Sequence, residues 1–167
     1  MKKILTLFAF VGALLFTSCS QEEPFYSEVV ELAGEWKVTV DQVDASGNVI
    51  DENLVGTINL LTYNTVANTN EMWIDDLKKF WSTKVKVTVD VQNSTFSCNG
   101  VTDEYLKGTE NEYQATIIDG KINYDGTKSP LGHVVDEIVF TIQFSDAPGE
   151  YYRFHGYLRT GFNEGAD

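Results

Sequence analysis

Apolar and polar side chains alternate with period two through most of the chain, the pattern of strands that bury one face. Trp36, Val38 and Val40 alternate with Lys37, Thr39 and Asp41, which predicts a strand over Glu35–Asp41. After a turn-rich stretch at Asp44–Asn48, Ile58 and Leu60 mark a second strand over Gly56–Tyr63. In Trp81–Val91 the residues Val85, Val87, Val89 and Val91 share one face, and Lys84, Lys86, Thr88 and Asp90 the other. Asp119-Gly120 has the chemistry of a two-residue hairpin turn and would set Ile117 opposite Ile122 and Ala115 opposite Tyr124. Ile138, Phe140, Ile142 and Phe144 form another alternating run, and beyond Ala147-Pro148-Gly149 a last strand covers Tyr151–Arg159. Shorter strands are expected at Met72–Ile74 and Thr95–Asn99, while Pro24, Pro130 and Pro148 all fall outside the runs. The result is an all-β chain of eight or nine antiparallel strands joined mostly in sequence. Such a sheet must close on itself or pack on a second sheet to hide its edges. Short connections favour an up-and-down β-barrel. A membrane-spanning barrel is excluded, because the outward positions carry Lys, Asp and Glu where lipid demands an apolar band.

The first residues follow a different rule. Lys2 and Lys3 precede an apolar run without charge, Ile4–Phe16, and then Thr17-Ser18-Cys19, which reads as a secretory signal. As a helix the run reaches only about 20 Å, short of the roughly 30 Å hydrocarbon layer. Leu15–Cys19 resembles the lipobox of bacterial lipoproteins, with Phe16 as a departure at the usual leucine position. The resemblance implies that residues 1–18 are a signal peptide, that Cys19 is lipidated, and that 19–31 form a tether to a domain over 32–167. Ser20–Glu23 is similar to the acidic export signal of surface lipoproteins in Bacteroidetes; a plain solvated tether has the same composition. With Cys19 acylated, Cys98 has no intrachain partner and is expected as a buried thiol. Without acylation the two cysteines could pair in an oxidising compartment.

Charge and composition narrow the functions. Among 167 residues, 12 Lys+Arg stand against 25 Asp+Glu, a formal charge of −13 that becomes −15 once Lys2 and Lys3 leave with the leader. So acidic a chain is no partner for nucleic acid. With 43% hydrophobic residues it is no disordered acidic tail either, and its length suits one cored domain. Two cysteines and two histidines make neither a disulfide scaffold nor a zinc cluster, so no metal and no cofactor is called for.

Gly34-Glu35-Trp36 at the first strand and Arg159 at the end of the last resemble the lipocalin and calycin signature, in which a guanidinium covers the indole at the closed end of the barrel. Gly34–Trp36, Leu61–Asn68, Met72–Asp76, Phe80–Val87 and His155–Phe162 together resemble a Bacteroidetes family of lipid-binding putative hydrolases. The resemblance implies a lipocalin-like barrel in the cell envelope, anchored to the outer membrane on its periplasmic or its surface side, that binds a small apolar or amphipathic ligand. In the central stretch, Tyr63, Asn64, Asn68, Trp73, Asp75, Asp76, Trp81 and Lys84 interleave aromatic, amide and charged groups, the mixture a ligand pocket needs. The alternative is that the tryptophans are packing residues and the asparagines turn formers. On the last strand, Tyr152, Phe154, Gly156 and Leu158 are the expected interior face; were the other face interior, Arg153 and His155 would be candidates for holding a carboxylate head group.

A hydrolase finds little support. There is no Gly-x-Ser-x-Gly elbow, Cys98 has no adjacent base, and neighbouring Asp75 and Asp76 on a strand point to opposite faces. Two further readings remain: a glycan-binding surface lipoprotein using Trp73 and Trp81 as stacking platforms, and a structural lipoprotein docking on an outer-membrane protein.

Overall fold

A computed structural model describes residues 26–161. The leader, Cys19 and its neighbours, and Phe162 lie outside the described residues. A short 3₁₀ turn at Val30–Leu32 leads into β1 (Gly34–Val43), followed by β2 (Val49–Asp51), β3 (Ile58–Asn64), β4 (Glu71–Asp75) and β5 (Lys84–Asp90). β6 (Thr95–Thr102), β7 (Gln114–Lys128), β8 (Val134–Phe144) and β9 (Tyr151–Leu158) complete the chain. Every pairing is antiparallel. β1 pairs with β3, each later strand with the next, and β9 returns to β1, which closes an eight-stranded up-and-down barrel; β2 is an extra strand on the end of β1.

Alternation decides the faces as expected. Trp36, Val38, Val40, Leu60, Met72, Ile74, Val85, Val87, Val89, Ile138, Phe140 and Ile142 all point inward and are buried. Phe140 and Phe154 stack at 4.8 Å between ring centres, almost parallel, in the middle of the barrel. The 3₁₀ turn plugs one end with Val29 and Leu32, both fully buried. Trp36 secures the plug: its Nε1 donates to Thr62 Oγ1 at 2.9 Å, and that hydroxyl donates to the Leu32 carbonyl at 2.6 Å.

Asp119-Gly120 is not a hairpin turn. Both residues lie inside β7, where the register to β8 shifts between Ile118 and Lys121, and Asp119 takes φ +53°. This is a β-bulge. One inserted residue shifts the alternation by one position, as a two-residue turn would also have done, so Ile117 and Ile122 both face inward, and the sequence pattern alone fits either structure. Gly120 sits against Phe96, whose ring and carbonyl would overlap any Cβ there. The strand count nevertheless stays at nine, because the turn-rich stretch after β1 supplies β2. The fifth strand also begins later than expected, at Lys84, since Trp81 and Ser82 have φ near +55° and belong to a loop.

Closure depends on Gly156. It pairs with Val38 across the β1–β9 seam, and a Cβ at this position would overlap the Lys37 carbonyl and crowd Val38 Cα. Gly156→Ala should destabilise the barrel by about 3 kcal/mol through forced separation of the seam, read from the shift in urea midpoint.

Candidate functional site

The rim formed by the ends of β1, β4, β6 and β8 is closed by its connections. The β4–β5 loop folds over the opening with Phe80 and Trp81 beneath it. Trp81 stacks on Phe144 at 4.9 Å and 3°, Phe80 meets Tyr152 and Phe154 edge-on, and the Trp81 indole N–H reaches the Asp146 carboxylate at 3.2 Å. Leu77, Lys78, Trp81 and Ser82 all adopt left-handed backbone conformations, which a loop of non-glycine residues takes only when its contacts compel it. The buried Asp76 supplies that compulsion: its two oxygens accept the N–H groups of Lys78 at 2.8 Å and Phe80 at 2.7 Å. Desolvation pushes its carboxyl up to about 6 despite those bonds.

Asp75 points the other way, as strand parity requires. On the outer face it accepts hydrogen bonds from Tyr63 Oη at 2.8 Å and Tyr105 Oη at 2.7 Å, and Lys84 Nζ lies 3.9 Å away. Lys84 and Lys86 both stand over the Trp73 ring, 5.3 and 5.6 Å from its centre. Tyr63, Trp73, Asp75 and Lys84 are thus brought together, with Tyr105 as a member that no sequence pattern announces: it lies 30 residues from Asp75 in a loop. Burial raises the Tyr63 phenol above its ordinary value, with Asp75 adding to the effect. The cluster excludes Trp81, which is 65 residues from its partner Asp146 and belongs to the loop over the rim. Asn64 donates to the Thr65 carbonyl, and Asn68, at φ +46°, accepts the Glu28 N–H, so both shape the β3–β4 turn.

Arg153 and His155 lie on the outside of β9, opposite the buried Tyr152 and Phe154. They converge on Asp41 of β1: Arg153 donates to Oδ2 at 3.2 Å, and His155 Nε2 is 3.0 Å from the same oxygen. Thr39 Oγ1 is 3.1 Å from that same ring nitrogen. A nucleophile relay needs the acid and the hydroxyl on opposite imidazole nitrogens, so this trio is a strut across the seam. Arg159 is likewise carried outward. Its guanidinium donates to Glu35 at 2.8 Å, and Leu158 is the residue paired with Trp36, so the expected guanidinium–indole stack is replaced by an ion pair one position away. Gly34 leaves room for that packing; a Cβ there would meet Leu158 Cδ1 at 2.5 Å. Cys98 donates weakly to the Ala115 carbonyl, and burial pushes its thiol up to about 11, which removes nucleophilic character at neutral pH.

The barrel wall opens between β5 and β6. β5 and β6 are paired only at Thr88–Asp90 with Thr95–Ser97, and they meet again where Lys84 N–H donates to Asp103 at 2.5 Å and Glu104 N–H to the Lys84 carbonyl. Between these points β6 swings away through a bulge at Gly100, φ +61°. The gap is a groove of about 490 Å³. Val87, Cys98 and Val101 line its floor, and Glu71, Lys86, Glu104 and Lys107 its rim. Lys86 pairs with Glu71 at 3.5 Å and Lys107 with Glu104 at 3.0 Å, so the rim charges are balanced. The one sequence signal for this feature is an isolated glycine in a strand-like run.

A small closed antiparallel barrel with an apolar interior and a wall groove belongs to the architectures that carry small ligands. Residues 21–163 match the model of the family described as "Lipid-binding putative hydrolase", and the chain belongs to that family. No curated protein matches it.

Two buried carboxylates titrate with opposite sign. Burial works to raise the Asp41 pKa, but hydrogen bonds from the Asn53 N–H and Arg153, with His155 beside it, hold it below the ordinary value. Its contribution to stability is present above about pH 4 and is lost as the pH falls through the folded value. Asp76 binds its proton more tightly when folded, so stability declines as the pH rises from about 4 to about 6 and is flat above. Asp76→Asn should abolish that decline, worth about 3 kcal/mol at most. Asp41→Asn should flatten the acid-side loss and lower stability at pH 7 by about 2 kcal/mol. Urea midpoints between pH 3 and 8 check both.

Proposed function

We propose that this protein is a lipid-anchored lipoprotein of the cell envelope that binds a small apolar or amphipathic, lipid-like molecule without transforming it. The observation that carries the ligand reading is the groove between β5 and β6. Its lining is mostly polar, with Thr88, Asn99 and Thr102 beside the apolar Val87, Cys98 and Val101 and with paired charges at the rim, which suits an amphipathic molecule with a modest apolar part, and its volume lies within the range of small-molecule sites. The interior beyond it is filled by the chain's own aromatic rings, so a ligand enters at the wall at less cost than under the Phe80–Trp81 loop. The family match supports the same class of ligand. Anchoring rests on the lipobox-like Leu15–Cys19, which supports a durable multi-acyl anchor at the outer membrane, and the likeness of Ser20–Glu23 to an acidic export signal supports a position at the cell surface.

A sugar platform is less well supported. Trp73 is covered by two ammonium groups and Trp81 is stacked on Phe144, so the two indoles do not present a shared face.

Gentle purification followed by lipid extraction and mass spectrometry should release a non-covalent amphipathic molecule, and the N-terminal peptide should begin at an acylated Cys19. The stripped protein should bind a fluorescent fatty acid. Val101→Trp, which fills the groove, should weaken that binding roughly tenfold or more, while Trp81→Ala leaves it within a small factor. No extractable molecule together with no probe binding would sink the ligand claim; equal loss in both variants would move the site to the rim.

A further inference from the structure

The two rims of the barrel differ sharply in chemistry. At the rim where the chain enters, the connections 65–70, 91–94 and 129–133 hold fifteen residues and not one Asp, Glu, Lys or Arg. At the opposite rim, segments 44–57, 76–83, 103–113 and 145–150 hold ten Asp or Glu and three Lys. This rim, whose three connections are uncharged and whose entering segment carries Glu28 and Glu31, exposes large apolar side chains. Val66 is fully exposed at the tip of the β3–β4 turn, Leu131 is 56% exposed in the β7–β8 turn, and Tyr26 and Val30 are exposed on the entering segment. The Glu28 N–H bond to Asn68 ties that segment to the β3–β4 turn, so Tyr26, Val30 and Val66 belong to one side of the same rim. Single exposed apolar residues are ordinary on a protein surface. Val66 and Leu131 lie on turns without charge in a chain of net charge −13, whereas Val49, Ile50, Val55 and Leu77, exposed at the opposite rim, lie among Asp, Glu and Lys.

The position of this rim says what covers it. Only six residues lie between Cys19 and Tyr26, a reach of about 25 Å when fully extended. An acyl anchor at Cys19 therefore holds the rim where the chain enters within that reach of the membrane, with the acidic rim at the far end of the barrel. We infer that the rim formed by Tyr26, Val30, Val66 and Leu131 is a lipid-facing surface whose side chains enter the interfacial layer of a zwitterionic bilayer. Bare apolar turns enter that layer without the desolvation cost that an ionised group pays. Glu28 and Glu31, both exposed on the entering segment, select against anionic lipid. The orientation leaves the β5–β6 groove on the side wall of the barrel, and the acidic rim faces the surrounding solution. This inference rests on the anchoring reading above.

The test uses the full lipidated chain, purified from membranes and reconstituted in phosphatidylcholine vesicles, with Cys98→Ser and single cysteines introduced as Val66→Cys, Leu131→Cys or Ile50→Cys. Each carries an environment-sensitive fluorophore. Ile50 is 64% exposed at the acidic rim, beside Asp51 and Glu52, and serves as the comparison. The expected result is a blue-shifted emission, quenched by spin-labelled lipid, at positions 66 and 131 but not at 50. If the protein floats with the vesicles while the labels at 66 and 131 remain as water-exposed as the one at 50, the lipid-facing rim is overturned and the anchor stands. A protein that does not float with vesicles overturns the anchor, and the rim's orientation with it. Shifts lost when the vesicles are given a majority of anionic lipid support the role of Glu28 and Glu31.

Discussion

The seam between β1 and β9 is the constraint on which the rest of the molecule depends. Eight residue pairs, from Trp36 with Leu158 to Val43 with Tyr151, turn an open sheet into a barrel without exposed long edges. The approach is close because Gly156 presents no side chain to the β1 backbone. On the inside Phe154 stacks on Phe140; on the outside Asp41 gathers Arg153 and His155, and Glu35 holds Arg159. Partners across this seam are more than a hundred residues apart, so the closing contacts must repay a large loop-closure entropy, and a concentrated set of them at one seam does so.

Burial of carboxylates in so acidic a chain follows one design. Asp41, Asp75, Asp76 and Asp103 are all nearly inaccessible, all at the same rim, and each accepts at least one backbone N–H from an adjoining connection. A barrel rim leaves loop N–H groups without strand partners, and short acidic side chains satisfy them. The desolvation cost is uneven. It is visible at Asp76, whose oxygens have only N–H donors and no cation, whereas Arg153 sits against Asp41.

These two features also divide the barrel between roles. The plugged rim and the seam are scaffold; the wall opening between β5 and β6 is where the ladder gives up hydrogen bonds and gains a concave surface. Two irregularities in the β6–β7 ladder accompany that opening, one with its extra residue in β7 between Ile117 and Gly120 and one with its extra residue in β6 between Cys98 and Val101, where β6 stays with β7 and leaves β5.

The sequence by itself determined the class of fold, the strand faces and the inward set, because side-chain parity is a local property of extended backbone. Val85, Val87 and Val89, or Phe140 and Ile142, could hardly point anywhere else. It also singled out Gly34, Trp36, Tyr63, Trp73 and Asp75 as residues of consequence. What it could not do was tell a turn from a bulge at Asp119-Gly120, since both shift the apolar phase identically. Nor could it join Tyr105 to Asp75, seat Trp81 on Phe144, or show that Arg159 meets Glu35 and not Trp36. Those contacts depend on which strands become neighbours and how far each ladder runs. Pairing is a long-range choice, made by the whole closed sheet, and only the tertiary structure decided it.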